Sequence, residues 1–234
     1  MTFDAVFVDL DDTLYPYAPC NAAGKEAAFE TIRDQGYDLT RDEFESLYQE
    51  GRSEVKRELA GTASAHERFL YFKRAIDIHA GTHRSKHALE LGEAYWEAYV
   101  DEMTLFDGVV DALAALSDAG VDVAVVSNLT TRIQLKKLHR LGIEAHVDLL
   151  LTSEETGREK PSSAMFTLPL ARLDRRASET LMVGDSVESD VVGGNAVGLT
   201  TALFNGPDDA DDLTGRERPD HIIQGFGELT ELVL

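Results

Sequence analysis

From residue 108 onward, short apolar runs alternate with helical patterns, and this alternation constrains the fold more than any other feature. The runs are 121–127 (VDVAVVS), 147–152 (VDLLLT), 180–184 (TLMVG) and 200–204 (TTALF), with a weaker one at 221–224 (HIIQ). A further run, 5–10 (AVFVDL), stands near the start of the chain. Such continuous apolar segments read as strands covered on both faces. Between them a helix is predicted over 108–119, with Asp107 as N-cap and Gly120 as its stop. Another is predicted over 131–141, with Leu135, Leu138 and Leu141 on one face and Gly142 closing it. Strand and helix in alternation predict an α/β fold built on a parallel sheet.

Residues 20–104 break the pattern, because they contain helical signals only. Thr40–Glu43 and Ser64–Glu67 have capping-box spacing. Phe44, Leu47, Tyr48 and Val55 form one amphipathic stripe, Phe69, Phe72 and Ile76 a second, and Leu91, Tyr95, Trp96 and Tyr99 a third. The expected organisation is an α/β core from residues 1–15 and 105–234, interrupted by an all-helical domain over 16–104 that acts as a lid. The stretch 207–219 (PDDADDLTGRERP) reads as a solvated acidic loop.

The 234 residues include 43 acidic and 22 basic ones, for a formal charge of −21. That balance opposes nucleic acids and anionic membranes as partners, since both require a basic footprint. Only seven of the basic residues are Lys. An Asp/Glu-rich, Lys-poor surface is similar to those of proteins from salt-loving organisms, where salt screens self-repulsion; ordinary acidic solubility is the alternative. No apolar run is long enough to span a bilayer, and the start of the chain does not read as a secretory signal. Cys20 is the single cysteine, so no internal disulfide forms. A cytoplasmic protein is expected.

The segment 6–15 (VFVDLDDTLY) sends a buried run straight into Asp9, Asp11 and Asp12. In an open parallel sheet, ligands sit beyond the carboxyl ends of the strands where strand order reverses. Asp9, Asp11, Asp12 and Thr13 follow the first strand, and Ser127 and Asn128 end the second. Lys160, just before Pro161, follows the third by a loop. Gly184-Asp185 ends the fourth, with Asp190 five residues on. Carboxylates gathered in one crevice repel one another unless a cation sits among them. A hard divalent ion such as Mg²⁺, completing its shell with phosphate oxygens and water, suits that donor set, and Lys160 adds a second positive charge. Such a pocket fits a phosphate monoester.

Asp9-Leu10-Asp11-Asp12-Thr13, Ser127, Lys160 and Gly184-Asp185 with Asp190 resemble, in order and placement, the four motifs of the haloacid dehalogenase (HAD) superfamily. The resemblance covers essentially the whole chain. It implies a Rossmann-like, three-layer αβα core, and the helical insertion is similar to a C1-type cap. Carried over, Asp9 is the nucleophile that forms an aspartyl-phosphate. Asp11 protonates the leaving oxygen and then activates water. Mg²⁺ is held by Asp9, the Asp11 carbonyl and Asp185, with Asp190 either a ligand or a carboxylate that orients one. Ser127, the Asn128 amide and Lys160 bind the phosphoryl oxygens; Lys160 also offsets charge in the transition state. Thr13 supports substrate binding, and Asp12 is structural. The resemblance implies a small phosphorylated metabolite as substrate (a sugar phosphate, phosphoglycolate or a nucleoside monophosphate) and a monomer or homodimer. A phosphosugar mutase is the alternative. A 2-haloacid dehalogenase fits less well, because that branch needs no acid at Asp11.

Other residues read more simply. His79, His83 and His87 are spaced by four, but Gly81 and Ser85 signal a turn that separates them. Lys25, Lys56, Lys73 and Lys86 read as solvated helix positions, and Cys20 as a partly buried thiol. Tyr95, Trp96 and Tyr99 read as helix packing, and Arg132 as surface. Tyr15, Pro16 and Tyr17 are candidates for substrate contact, since in HAD-like folds this segment flanks the entrance. Pro161 suits a first helical turn, and Pro169 then falls inside the helix.

Overall fold

The computed structural model describes residues 3–206 and 212–234. It divides into two units, Met1–Pro16 with Thr104–Leu234, and Tyr17–Met103.

In the first unit six strands form one sheet: β1 (Ala5–Val8), β2 (Asp122–Ser127), β3 (Leu149–Thr152), β4 (Thr180–Gly184), β5 (Thr200–Phe204) and β6 (His221–Ile223). Their order is β3-β2-β1-β4-β5-β6, and every pairing is parallel. The predicted runs all become strands. The first is shorter than expected, stopping at Val8, because Leu10 and the residues after it turn into a tight loop.

β1 lies at the centre, with Val8 in register with Val125 of β2 and Val183 of β4. Its four side chains are fully buried, as a strand covered on both faces requires. Ala5 and Phe7 join Val126, Leu151, Phe166 and Met182 in one core layer, while Val6 and Val8 project to the opposite face by the two-residue pleat. The chain runs outward from β1 through β2 to β3 and then crosses back to β4 on the other side. That reversal opens a crevice at the carboxyl ends of β1 and β4.

The helices of the second unit are α1 (Tyr17–Asp34), α2 (Arg41–Glu58), α3 (Arg68–Ala80) and α4 (Ser85–Asp101). α1 packs on α4, and α3 packs on both α2 and α4. Glycine permits the closest approaches: a Cβ at Gly51 would meet the Tyr71 carbonyl, and one at Gly24 the ring of Tyr95. Thr40 and Glu43 form the expected capping box of α2. Ser64 and Glu67 do not, since residues 63–66 make a 3₁₀ turn. Glu67 is itself the N-cap of α3, accepting from the Phe69 amide. Tyr95, Trp96 and Tyr99 are buried against one another, as expected. Arg68 is buried among them; it donates to the hydroxyls of Tyr17 (2.7 Å) and Tyr95 (3.3 Å) and to the His66 carbonyl (2.5 Å). Cys20 is buried and forms no disulfide.

The remaining helices are α5 (Val109–Asp118), α6 (Thr131–Leu141), α7 (Ser153–Thr156), α8 (Ala164–Leu173), α9 (Val192–Val197) and α10 (Phe226–Val233). Asp107 is not the cap of α5. Gly108 holds that position with φ of 81°, a left-handed geometry glycine adopts freely. Pro161 does not open α8, which begins at Ala164; the Lys160–Pro161 peptide is cis. Pro169 lies inside α8, as read. On α6 the predicted face is corrected: Leu135 is 54% exposed, and the buried arc carries Ile133, Gln134, Lys137 and Leu138. The acidic loop predicted at 207–219 lies outside the described residues over 207–211. Among the described residues no helix is long and apolar enough to cross a membrane.

Candidate active site

The site is built at the ends of β1, β2 and β4. Asp9 follows β1 directly, and its amide still bonds to the Val183 carbonyl (2.9 Å), so the first carboxylate stays locked to the sheet. The chain then closes a short loop, with the Leu14 amide on the Leu10 carbonyl and a backbone bridge between Asp11 and Tyr15. Leu10 and Leu14, both fully buried, anchor it. Asp12 is exposed and sits at φ of 58°. Its position therefore demands a residue tolerant of left-handed backbone, which Asp is and most residues are not.

β4 ends in Gly184-Asp185, and a five-residue π-helix, Val187–Val191, follows. This wide turn brings Asp190 back over the strand end. A Cβ at Gly184 would overlap the Asp190 carboxylate, so glycine is required there. Both oxygens of Asp190 are engaged: Oδ2 accepts from the Ser186 amide (3.1 Å) and Oδ1 from Lys160 Nζ (2.7 Å). Lys160 also donates to Asp9 Oδ1 at 2.6 Å, so one buried ammonium bridges two carboxylates. The Asn128 side chain holds the Lys160 backbone, its Oδ1 accepting from the Lys160 amide (2.8 Å) and its Nδ2 donating to the carbonyl (3.4 Å).

Thr13 and Asp185 bond reciprocally. The Asp185 amide donates to Thr13 Oγ1 (3.1 Å), and the hydroxyl reaches Asp185 Oδ1 (3.2 Å). Thr13 is fully buried, so the structure sets it against Asp185 and not at a substrate-facing surface. Ser127 Oγ, also buried, accepts from Gln134 Nε2 at 2.7 Å, which leaves its own proton available for donation.

Asp9, Asp185 and Asp190 each offer an oxygen within 4.8 Å of the others, the one such group of potential metal ligands among the described residues. Burial, together with the charges of Asp190, Asp185 and Asp11, outweighs Lys160 and pushes the Asp9 carboxyl up to about 8. Burial and the charges of Asp190 and Asp12 raise Asp185 to about 6. Burial pulls the Lys160 ammonium down, but Asp190 and Asp9 more than offset it and hold the group above its ordinary value. The crowding of negative charge read in the sequence is therefore real, and one ammonium only partly relieves it.

Three residues escaped the sequence reading: Gln134, Lys137 and, as a partner of Asp11, Tyr15. Lys137 Nζ lies 2.5 Å from Asp11 Oδ1, and the Tyr15 hydroxyl donates to the same oxygen. The available signal was two polar residues, three apart, on the face of α6 that also carries Ile133 and Leu138. Of the other candidates, Lys25 and Lys56 are half-buried and not solvated as predicted, and His79 and His87 both lie against the Tyr37 ring. His79 ends α3, His83 bonds Asp77 in the turn, and His87 is on α4 against Tyr37. Lys25, Lys73 and Lys86 pair with Glu45, Asp77 and Glu90, and Lys56 lies against His66. Arg132 is exposed.

Residues 3–198 match the haloacid dehalogenase-like hydrolase family. The chain belongs to that family. This HAD-like hydrolase is 56% identical over 235 residues to a ribulose-1,5-bisphosphate 5-phosphatase of Halopiger xanaduensis, with 98% of each chain covered. It is 30% identical to a glyceraldehyde 3-phosphate phosphatase of Methanothermobacter thermautotrophicus, covering 97% of this chain and 93% of the relative. Among solved structures, the putative HAD-hydrolase YfnB of Bacillus subtilis, bound to magnesium, superposes with a TM-score of 0.72 at 24% identity, over 100% and 99% of the two chains. That likeness concerns the fold, and it is the fold the motifs implied.

Proposed function

We propose that this HAD-like hydrolase is a Mg²⁺-dependent phosphatase of a small sugar phosphate, acting through a phosphorylated Asp9. The observation that carries the reading is the cluster of Asp9, Asp185 and Asp190 about the Lys160 ammonium at the β1–β4 crevice. The 56% identity to a sugar bisphosphate 5-phosphatase supports the substrate class and makes ribulose 1,5-bisphosphate the first compound to try. A small metabolite of this kind suits work in the cytoplasm as a monomer or homodimer, and the helical unit serves as the cap that selects the leaving group.

The donor set fits a hard divalent cation: oxygen atoms only, too much negative charge for one ammonium, and carboxyls held above their ordinary range by burial and by that crowding. Asp9, Asp185 and the Asp11 carbonyl are the residues that would hold Mg²⁺. Asp190, with both oxygens already bonded, orients Lys160 and supports the cluster. When bound, the ion supplies positive charge to the transferring phosphoryl oxygens and keeps Asp9 ionised.

The chain's own residues do the rest. An Asp9 oxygen attacks phosphorus, the ester P–O bond breaks, and Asp11 gives its proton to the leaving oxygen. Asp11, now a carboxylate, takes a proton from water as that water attacks phosphorus. Inorganic phosphate leaves, and Asp9 is restored as a carboxylate. Lys160 and the donors at the end of β2, the Ser127 hydroxyl and the Asn128 amide, stabilise charge on the phosphoryl oxygens. Gln134 orients the Ser127 hydroxyl and Thr13 holds Asp185.

The test is turnover of ribulose 1,5-bisphosphate and of p-nitrophenyl phosphate with Mg²⁺, with EDTA, and for Asp9→Asn. Activity should require the metal and should vanish in Asp9→Asn while its circular dichroism stays that of the parent. Near-parental rates in Asp9→Asn or in EDTA would contradict the reading. Phosphoryl transfer to a second sugar in preference to water would turn it toward a mutase.

A further inference from the structure

Lys137 is absorbed by no step of that mechanism, yet it is among the most buried polar residues of the chain. A buried ion pair seldom adds more stability than an apolar side chain of equal size, so the fold alone gives little reason for an ammonium there. Its position on α6 gives a better one. Nζ lies 2.5 Å from Asp11 Oδ1, the Tyr15 hydroxyl donates to that same oxygen, and the ammonium stands 5.6 Å from the centre of the Tyr15 ring. The Lys137 side chain is 2% exposed, whereas that of Asp11 is 27% exposed. The lysine thus reaches the carboxyl group from the interior, and the carboxyl group itself is partly exposed. The β1 end therefore has two ammonium groups with separate partners: Lys160 serves Asp9 and Asp190, and Lys137 serves Asp11.

We propose that Lys137, together with Tyr15, is a positioning residue for Asp11: by pinning Oδ1 it aims the carboxyl group first at the leaving oxygen and then at the attacking water. The proposal rests on the reading of Asp11 as acid and base given above. It differs from a packing role in a way that leaving groups report. A sugar alkoxide needs a proton to depart, a p-nitrophenolate does not, and hydrolysis of the phosphorylated enzyme needs Asp11 in both cases.

Lys137→Met keeps the apolar stem and removes the ammonium. With an alkyl substrate that the parent turns over (ribulose 1,5-bisphosphate or glyceraldehyde 3-phosphate), kcat should fall about 100-fold, the lower range for loss of acid–base help, with KM little changed. With p-nitrophenyl phosphate, rapid mixing should show a burst of about one p-nitrophenol per chain at the parental rate, then slow turnover as phosphorylated enzyme accumulates. Lys137→Arg should recover most of the loss. Tyr15→Phe should give the same pattern at smaller amplitude, and it carries the test if Lys137→Met does not fold. Equal loss of burst and turnover on both substrates, or parental values throughout, would overturn the proposal. Asp11→Asn run alongside separates the two readings: if it lacks the burst pattern, the acid–base role of Asp11 fails first.

Discussion

Asp9 and Asp185 are carboxyls held at about 8 and about 6, against 3.8 for an ordinary Asp, because burial and neighbouring carboxylates disfavour their charged forms. Between about pH 4 and pH 8 the folded, metal-free protein therefore keeps protons that the unfolded chain has released. Its stability should fall as pH rises through that window and level off above it. A cation bound to the cluster favours the ionised carboxylates and competes with those protons, so its stabilising effect has the opposite trend. The rise in Tm produced by saturating MgCl₂ should accordingly be larger near pH 8 than near pH 5. An equal rise at both values would count against these carboxyls as the binding group. Asp9, Asp11, Ser127, Lys160, Asp185 and Asp190 were all legible as candidates, because each ends or follows a strand that announces itself by continuous apolar sequence, and the structure gathers Asp9, Lys160, Asp185 and Asp190 in one cluster. Their partners were not. Thr13 on Asp185 and Gln134 on Ser127 depend on which way a side chain turns once the loop or helix is packed, and local sequence does not record that.

At the scale of elements, apolar runs and capping chemistry located the six strands and most helices, while boundaries followed backbone geometry. β1 stops at Val8 because the loop beyond it needs a left-handed residue at Asp12, and α5 starts after Gly108 for the same kind of reason. The face of α6 differs from the predicted one because Leu135 is exposed while Lys137 and Gln134 are buried, an inversion of the usual rule. The π-helix after β4 was invisible as such, although the Gly184-Asp185 to Asp190 spacing depends on it. Gly184→Ala should displace Asp190 and with it Lys160, lowering kcat at least tenfold with a modest loss of Tm; unchanged kcat would mean that Asp190 moves aside freely. Thr40→Ala removes the capping box of α2 and should cost about 1 kcal/mol in denaturant unfolding, with no effect on p-nitrophenyl phosphate hydrolysis.

Across the whole molecule, a charge of −21 on 234 residues makes self-repulsion a standing load on the folded state. The chain carries few long-stemmed Lys, and several of its exposed Arg already pair with Glu, so added salt is the remaining means of screening. Tm should rise as KCl goes from about 0.1 M to about 2 M, and more steeply than expected for a neutral protein of this size; a flat or falling Tm would leave the acidic surface as a solubility feature only. The central claim concerns one atom group, the Asp9 carboxylate as the acceptor of the phosphoryl group, and acid quenching during turnover tests it most directly. Peptide mass spectrometry of the quenched enzyme should find one phosphoryl group, sensitive to hydroxylamine, on the peptide that carries Asp9, and none in Asp9→Asn. A phosphoryl group on any other residue, or full turnover with Asp9 never modified, would contradict the account.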